Sequence, residues 1–498
     1  MKLGTRPGFR VPVLDGVLDG VTAAPLPERT VKAVYFDTDD LRLARWGVTV
    51  RHRRGEGTAW TVKLPEGRDG PALVRREVSF DGPPTRIPAQ ALDLVRAYSR
   101  HDPLAPVAHL RTRRVALALA DVEGVAVAEV VDEEVSVLHD GRVASRFREV
   151  DVEVADRAPP GLLDAVVGRL RAAGAGDPDP TPKLVRALGD RARQAPELEP
   201  VKLGPHPTAG DAVTAALVRS VTRLLRHDPG VRIGDDPEDV HQARVATRRL
   251  RSDLSTFAPL LAEDWRAPLR DELRWLGCEL GAVRDADVLA ARLRRQAASL
   301  PEPDVAGLAP MFRRLAKERE AAAARLAEVM AAERYVDLLD RLVAGAREPA
   351  LRPGAADPAR QVLVGLVARP WRQLRAAVRA LPTDPADADL HQVRIRAKRT
   401  RYASDAAAAV VGRPARRFAT RVADLQEVLG DHHDAVVAER WLRAAVADPD
   451  GPSPAPAAEA LAAGELIAGQ LAERAAGREA WPAAWKRVAK KSRRAWLG

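Results

Sequence analysis

The chain has 498 residues and a formal net charge of +10 at pH 7, a length that calls for two or three domains rather than one. Of its 79 basic and 69 acidic side chains, residues 1–200 hold 30 of each, so residues 201–498 hold 49 and 39 and carry the whole excess. No run of about 18 apolar residues exists to span a membrane, the N-terminus lacks a continuous apolar signal segment, and a lone Cys278 excludes an intramolecular disulfide or a cysteine-rich zinc site. A cytoplasmic protein is expected, and any polyanionic partner is to be sought first in the C-terminal part.

Residues 1–155 read as short strands. Val31–Asp37 alternates, Thr38–Asp40 caps a short helix at Leu41–Arg45, and Val48–Arg54 alternates again. Ala59–Leu64, Ala72–Phe80, Leu110–Leu119, Val125–Val131, Val135–His139, Arg142–Phe147 and Arg148–Ala155 follow, several separated by glycine turns such as Arg54-Gly-Glu-Gly. With one helix near Pro159–Ala173, eight or nine strands predict an antiparallel β-barrel. The polar faces of these strands are charged in blocks of one sign. Arg51 and Arg53 share a face, Lys63 lies on the next strand, Arg111 and Arg113 alternate on a later one, and Glu149, Asp151 and Glu153 line another. If these faces point inward the lumen cannot be dry, because unpaired buried charges cost several kcal/mol each. It would suit a phosphate chain held by Arg and Lys, with a divalent metal on the carboxylates. A solvated sheet face is the plain alternative, and patterning alone does not separate the two.

A Pro/Gly/Asp-rich connector spans 175–207, and amphipathic helices follow near 209–227, 236–260, 264–297, 306–345, 358–380, 386–411, 413–444 and 456–494. Breaks fall at Asp228-Pro-Gly, Pro349–Pro358 and Asp448–Pro456. This part repeats itself. His241-Gln-Ala-Arg-Val-Ala-Thr-Arg-Arg-Leu-Arg251 matches His391-Gln-Val-Arg-Ile-Arg-Ala-Lys-Arg-Thr-Arg401 at an offset of 150 (391 − 241). Leu276-x-x-x-Leu280-Gly-x-x-Arg-Asp-Ala286 matches Leu425-x-x-x-Leu429-Gly-x-x-His-Asp-Ala435 at 149 (429 − 280). Two tandem helical bundles are implied, about 208–348 and 358–498.

His241, Arg244, Arg248 and Arg251 lie along one helix face, and His391, Arg394, Lys398 and Arg401 repeat the spacing. Like charges so spaced oppose one another unless an anion lies along them. Arg270 and Arg274, and Arg417 and Arg421, extend the lines on the following helices. The duplicated lines suit a flexible polyanion with one charge per phosphate. The leucines and Gly281 and Gly430 of the second motif read as packing positions, with Asp285 and Asp434 orienting the basic lines. His432 and His433 beside Asp431 and Asp434 have the composition of a metal cluster, but Val283 and Arg284 stand there in the first bundle. Nucleic acid is disfavoured, since no aromatic residues interleave with the basic lines.

The strand region resembles the CYTH family, the triphosphate tunnel fold of a type of adenylyl cyclase and of thiamine and inorganic triphosphatases. The matching stretches are Tyr35-Phe-Asp-Thr38, Leu41-Arg-Leu-Ala-Arg-Trp-Gly-Val-Thr-Val-Arg-His-Arg53, Trp60-Thr-Val-Lys-Leu-Pro65 and Glu149-Val-Asp-Val-Glu153, with Lys183 beyond the helix. The helical region resembles the CHAD family, whose duplicated histidine-bearing helices bind inorganic polyphosphate. The resemblance implies a tunnel domain over 1–195, a linker over 196–207 and a helical domain over 208–498. It implies that Lys2, Arg51, Arg53, Lys63, Arg111, Arg113 and Lys183 bind triphosphate oxygens, with Arg75 or Arg76 contributing. Glu149, Asp151 and Glu153 would serve catalysis by holding Mg²⁺ or Mn²⁺. CYTH proteins open with Glu-x-Glu-x-Lys, whereas this chain reads Met1-Lys2-Leu3-Gly4, so the two glutamates are expected upstream of the written start or the first strand is incomplete. The readings that remain are a metal-dependent triphosphatase with a polyphosphate-binding module, and a non-enzymatic polyphosphate-binding protein, in either case associated with polyphosphate granules by expectation. Chain length of the substrate and oligomeric state are not specified by the sequence.

Overall fold

The computed structural model describes residues 1–55, 57, 60–69, 72–447 and 456–497. The chain divides into two compact units, Met1–Glu197 and Leu198–Gly498.

The first unit is one antiparallel sheet of nine strands: β1 (Lys2–Thr5), β2 (Thr22–Pro25), β3 (Arg29–Asp37), β4 (Thr49–Arg54), β5 (Trp60–Asp69), β6 (Ala72–Phe80), β7 (Ala105–Ala120), β8 (Ala126–His139) and β9 (Arg142–Val154). They run in the order β1-β9-β8-β7-β3-β4-β5-β6, with β2 also on β7. Two differences from the sequence reading have simple causes. The segments 125–131 and 135–139 form the single strand β8, and 142–155 forms β9, because the charged run Asp132-Glu-Glu134 stays in ladder with Arg148 and Glu149 instead of turning. The short β1 and β2 carry too few residues to show alternation. The turn expected at residues 54–57 and the start of the strand expected at 59 lie partly outside the described residues.

Apolar packing decides which face is which. Helix α1 (Leu162–Ala172) lays Leu162, Val166 and Leu170 on the outer face of β1, β8 and β9, burying Leu3, Val130, Val150 and Val152 in one core. Alternation then turns Lys2, Glu149 and Asp151 to the opposite, concave face. Asp37 is buried and accepts from the backbone N–H groups of Thr38, Leu43 and Ala44, which fixes the tight turn after β3.

The second unit is helical: α3 (Ala209–Ile233), α4 (Pro237–Thr256), α5 (Glu263–Ala297), α6 (Ala309–Ala331), α7 (Glu333–Arg347), α8 (Ala359–Arg379), α9 (Asp387–Val411), α10 (Arg413–Ala447) and α11 (Ala457–Ala489), with α2 (Lys183–Leu188) belonging to the first unit. Thr208 and Asp211 form a capping box for α3, and Asp236 caps α4 ahead of Pro237. The break expected at Asp228-Pro-Gly does not occur. Buried Asp228 accepts from the Tyr335 hydroxyl at 2.6 Å and from Arg232 at 2.7 Å, and these bonds hold the helix together around Pro229. The long stretch expected over 306–345 instead divides at Ala332, whose backbone is extended. The break at Asp448–Pro456 falls almost wholly outside the described residues. The two repeats start side by side, with Ala209 N–H donating to Asp357 O and Ala359 N–H to Pro207 O, each at 2.9 Å. The motif helices α4 and α9 pack against each other. Among the described residues no helix is long and apolar enough to cross a membrane.

Candidate functional site: two cationic clusters

On the concave face of the sheet the ladders bring together Tyr35, Arg51, Arg53, Lys63, Arg75 and Glu77. Tyr35 pairs with Arg51, Ala33 with Arg53, Lys63 with Glu77 and Pro65 with Arg75, which puts all of these side chains on one face. Glu77 binds Lys63 closely at 2.5 Å and lies 3.5 Å from Arg51 and 3.8 Å from Arg53. One half-exposed carboxylate thus serves three cations. Burial, followed by Arg51, pushes the Lys63 ammonium below its usual range in spite of Glu77. Burial alone would raise the Tyr35 phenol, but Arg51, Lys183 and Lys63 outweigh it and hold the phenol below its ordinary value. Lys183, which stands on a helix beyond the sheet and meets Glu133 of β8 and Glu149 of β9, and Lys63 of β5 both act on Tyr35 of β3, so this face is curved around a common centre.

A second group on the same face is balanced. Glu149 is fully buried and lies 3.1 Å from Lys2, 3.6 Å from Arg186 and 3.7 Å from Lys183. Glu133 pairs with Lys183 and, at 3.2 Å, with Arg114. Burial would raise Glu133, but Lys183 and then Arg114 hold it below the usual carboxylate range. Lys183 in turn is pushed up by Glu133 and Glu149 against the opposing effect of its own burial.

Of the residues singled out from sequence, Lys2, Arg51, Arg53, Lys63, Lys183, Glu149, Asp151 and Glu153 share the concave face, as does Arg75. Arg111 and Arg113 do not. Val31 pairs with Thr112 and Arg29 with Arg114, so the even-numbered residues of β7 point inward. Arg113 is exposed and bidentate with Glu28, and Arg111 is exposed. Arg114 occupies the inward place instead. Arginines at both parities hid this in the sequence; the buried Leu110 was the available signal. Glu77 and Glu133 were also missed, because a carboxylate on a strand carries no sign of which cation it will meet, and so was Arg186, whose approach to Glu149 depends on how its helix packs on the sheet.

Successive inward positions on one strand stand roughly 6.6–7 Å apart, so Glu149, Asp151 and Glu153 cannot all reach one ion. Among the described residues no group of three His, Cys, Asp or Glu side chains converges on a possible cation position. Glu149 is already ringed by three cations, and Glu153 is exposed. The donor set present does not fit a divalent ion held by the protein alone.

The helical unit gathers its motif residues at the seam of α4 and α9. Arg244 pairs with Asp285 at 2.9 Å, and Arg394 lies 3.8 Å from Asp434. Gly281 and Gly430 lie against these guanidinium groups, and a Cβ there would make ordinary contact at 3.8 Å from Arg244 and 3.7 Å from Arg394. Across the seam, Lys398 feels Arg394, Arg248 and Arg244. Burial and these three cations push its ammonium down to about 8, which Asp434 does not offset. Arg248 is pushed down by burial and then by Arg244, Arg401 and Arg394. The buried Nε of Arg394 and of Arg251 find no acceptor. Arg251 groups with Arg274 and Arg270, and Arg401 reaches Gln426 at 3.3 Å. Arg421 pairs with Asp424 at 2.9 Å and Arg417 is exposed. Arg248, Arg249 and Arg401 surround the Tyr402 ring at 5.7–5.8 Å. The histidines part ways: the His432 ring lies 3.1 Å from Asp387, while the His433 ring packs on His391 with centroids 4.1 Å apart and planes tilted by 31°.

Comparison with known proteins bears on both units. A CYTH domain profile matches residues 9–168 and a CHAD domain profile residues 215–443. A protein of Mycobacterium tuberculosis is 34% identical over 457 residues, spanning 86% of this chain and 85% of that protein. Among solved structures, the CHAD domain from the plant Ricinus communis is 31% identical, covering 58% of this chain and 95% of that one at a TM-score of 0.47. PptA from Streptomyces chartreusis is 28% identical, covering 56% and 99% at a TM-score of 0.47.

Proposed function

The chain belongs to the family in which a CYTH domain precedes a CHAD domain, and on that premise we propose that its helical unit binds inorganic polyphosphate while its sheet binds a triphosphate group. The observation that carries this reading is the α4–α9 seam. Arg244, Arg248, Arg394 and Lys398 converge there with too little opposing charge, and Lys398 is driven down to about 8. A chain of phosphates supplies one negative charge per unit and can follow such a path, satisfying the stranded Nε of Arg394. His241, Arg251, Arg270, Arg274, His391, Arg401, Arg417 and Arg421 extend the same two lines.

In the sheet, Arg51, Arg53, Lys63 and Arg75 are the residues for the phosphate oxygens, with Lys2 and Lys183 beyond them. Of the two roles open to this unit, binding is favoured over hydrolysis. Glu149, Asp151 and Glu153 do not assemble a cage for Mg²⁺ or Mn²⁺, and phosphoryl transfer depends on such charge neutralisation. Phosphate release from inorganic triphosphate, measured with either metal, is expected at background level. Metal-dependent turnover would restore the triphosphatase reading.

Replacing Arg244, Arg248, Arg394 and Lys398 together by Ala tests the helical site. Hydrogen bonds to charged groups contribute about 1.5–3 kcal/mol each, so polyphosphate affinity should fall by about a thousandfold or more while the helical circular dichroism spectrum is kept. Unchanged affinity would reduce the basic lines to a solvated face. Single-stranded nucleic acid competing as well as polyphosphate at matched salt would remove the specificity of the reading.

A further inference from the structure

The two halves of the seam are not chemically alike. The residue facing His391 from α10 is His433, and the residue at the matching place on α5 is Arg284, an offset of 149 (433 − 284) beside the 150 of the motif histidines. Arg284 is the strongest charged neighbour of His241. The motif cations differ in the same sense, with Arg248 in the first repeat and Lys398 in the second. The geometry points to Arg284 and His433 as further polyphosphate-contacting residues, giving a seam whose first half carries fixed charge and whose second half gains charge on its histidine pair by taking up a proton together with the ligand. This inference rests on the polyphosphate reading above.

The ring contact explains why the histidine pair of the second half is uncharged when free. His433 meets His391, Arg394 and Lys398 from α9 and has His432 beside it on its own helix. Two imidazole rings in contact, next to a guanidinium and an ammonium, cannot both carry charge without an anion. Burial and these neighbours take His433 down to about 4, and burial followed by Arg394 and Lys398 lowers His391. The buried Nδ1 of His391 has no hydrogen-bond partner. A phosphate chain laid along α9 would reverse the sign of this environment, so each ring would bind a proton more readily in the complex. In the first half, burial, then Arg284, and then Arg248 and Arg244 oppose protonation of His241 against the pull of Glu238, and a guanidinium in place of the second imidazole supplies fixed charge.

Calorimetry of the full chain with long-chain inorganic polyphosphate, near pH 6 and in buffers of unlike ionisation enthalpy, counts the protons taken up. The wild type should take up about one proton or more, and each proton makes the affinity change tenfold per pH unit. His433→Arg should lower the uptake by about one proton and flatten the pH profile. Arg284→His, the opposite change at the matching place, should raise the uptake and steepen the profile. Equal uptake in the wild type and both variants, with binding retained, would overturn the inference while leaving the polyphosphate reading standing. Absence of binding by the wild type at every pH would overturn that reading, and this inference with it.

Discussion

Two half-buried lysines, one in each unit, are pushed in opposite directions. Lys183 loses hydration against the sheet, yet Glu133 and Glu149 raise its affinity for the proton. Lys398 loses hydration within the helical seam and meets Arg394, Arg248 and Arg244, which take it down to about 8. The contrast shows that cation content alone does not define an anion site; what matters is whether the protein has already supplied the counter-charge. In the Lys2–Lys183–Glu133–Glu149 group the protein has itself supplied the counter-charge. The seam is left unbalanced, and the Arg51–Lys63 group, with Glu77 as a close carboxylate, lies between these limits.

The comparison breaks most visibly on stability. Lys183→Met removes the cation that Glu133 and Glu149 share, leaving Glu133 with Arg114 and Glu149 with Lys2 and Arg186, and should cost about 1–3 kcal/mol, read as a lowered denaturant midpoint for the sheet unit. Lys398→Met removes a repelled charge and should leave stability unchanged or raised. Equal destabilisation by both would mean that the two sites do not differ in the way described.

Stability against pH sharpens the same point. Lys398 titrates near 8 in the folded chain against about 10.4 when unfolded, so below pH 8 its charge opposes folding in full. That opposition fades as pH rises from about 8 towards 10, where the unfolded state binds more protons than the native one. The difference in stability between wild type and Lys398→Met should therefore shrink over that interval. A constant difference would contradict the assignment.

The smallest expected effect belongs to Glu77. It occupies the Lys63, Arg51 and Arg53 cluster where an incoming phosphate would sit, and its side chain is 38% exposed. Removing its charge by Glu77→Gln should tighten triphosphate binding by about fivefold, the scale of a partly exposed ion pair. Weaker binding would mean that Glu77 positions the cations rather than competing for them.

Much of this was legible in the sequence, and the limits were physical. Period-three-and-four spacing placed Arg244, Arg248, Arg394 and Lys398 on two helix faces, and the duplication marked both faces as one design. That the faces meet across a seam depends on long-range packing of α4 on α9, which no local pattern encodes. On the sheet, alternation correctly grouped Arg51 with Arg53, but parity failed for Arg111 and Arg113 because β7 carries arginine on both faces. The proline at 229 was misleading because its break is suppressed by Tyr335, more than a hundred residues away. The difference between His433 and Arg284 was visible as a mismatch in the repeat; its meaning needed the ring contact with His391.

The central claim is that long polyphosphate goes to the seam and short triphosphate to the sheet. Calorimetric titration of both ligands into Arg248→Ala/Arg394→Ala and Arg51→Ala/Lys63→Ala variants of the full chain tests it directly. The account predicts a crossed pattern: the seam variant loses polyphosphate affinity by about a hundredfold and keeps triphosphate binding, and the sheet variant does the reverse. Parallel losses of both ligands in both variants, or polyphosphate binding untouched by the seam substitutions, would contradict it.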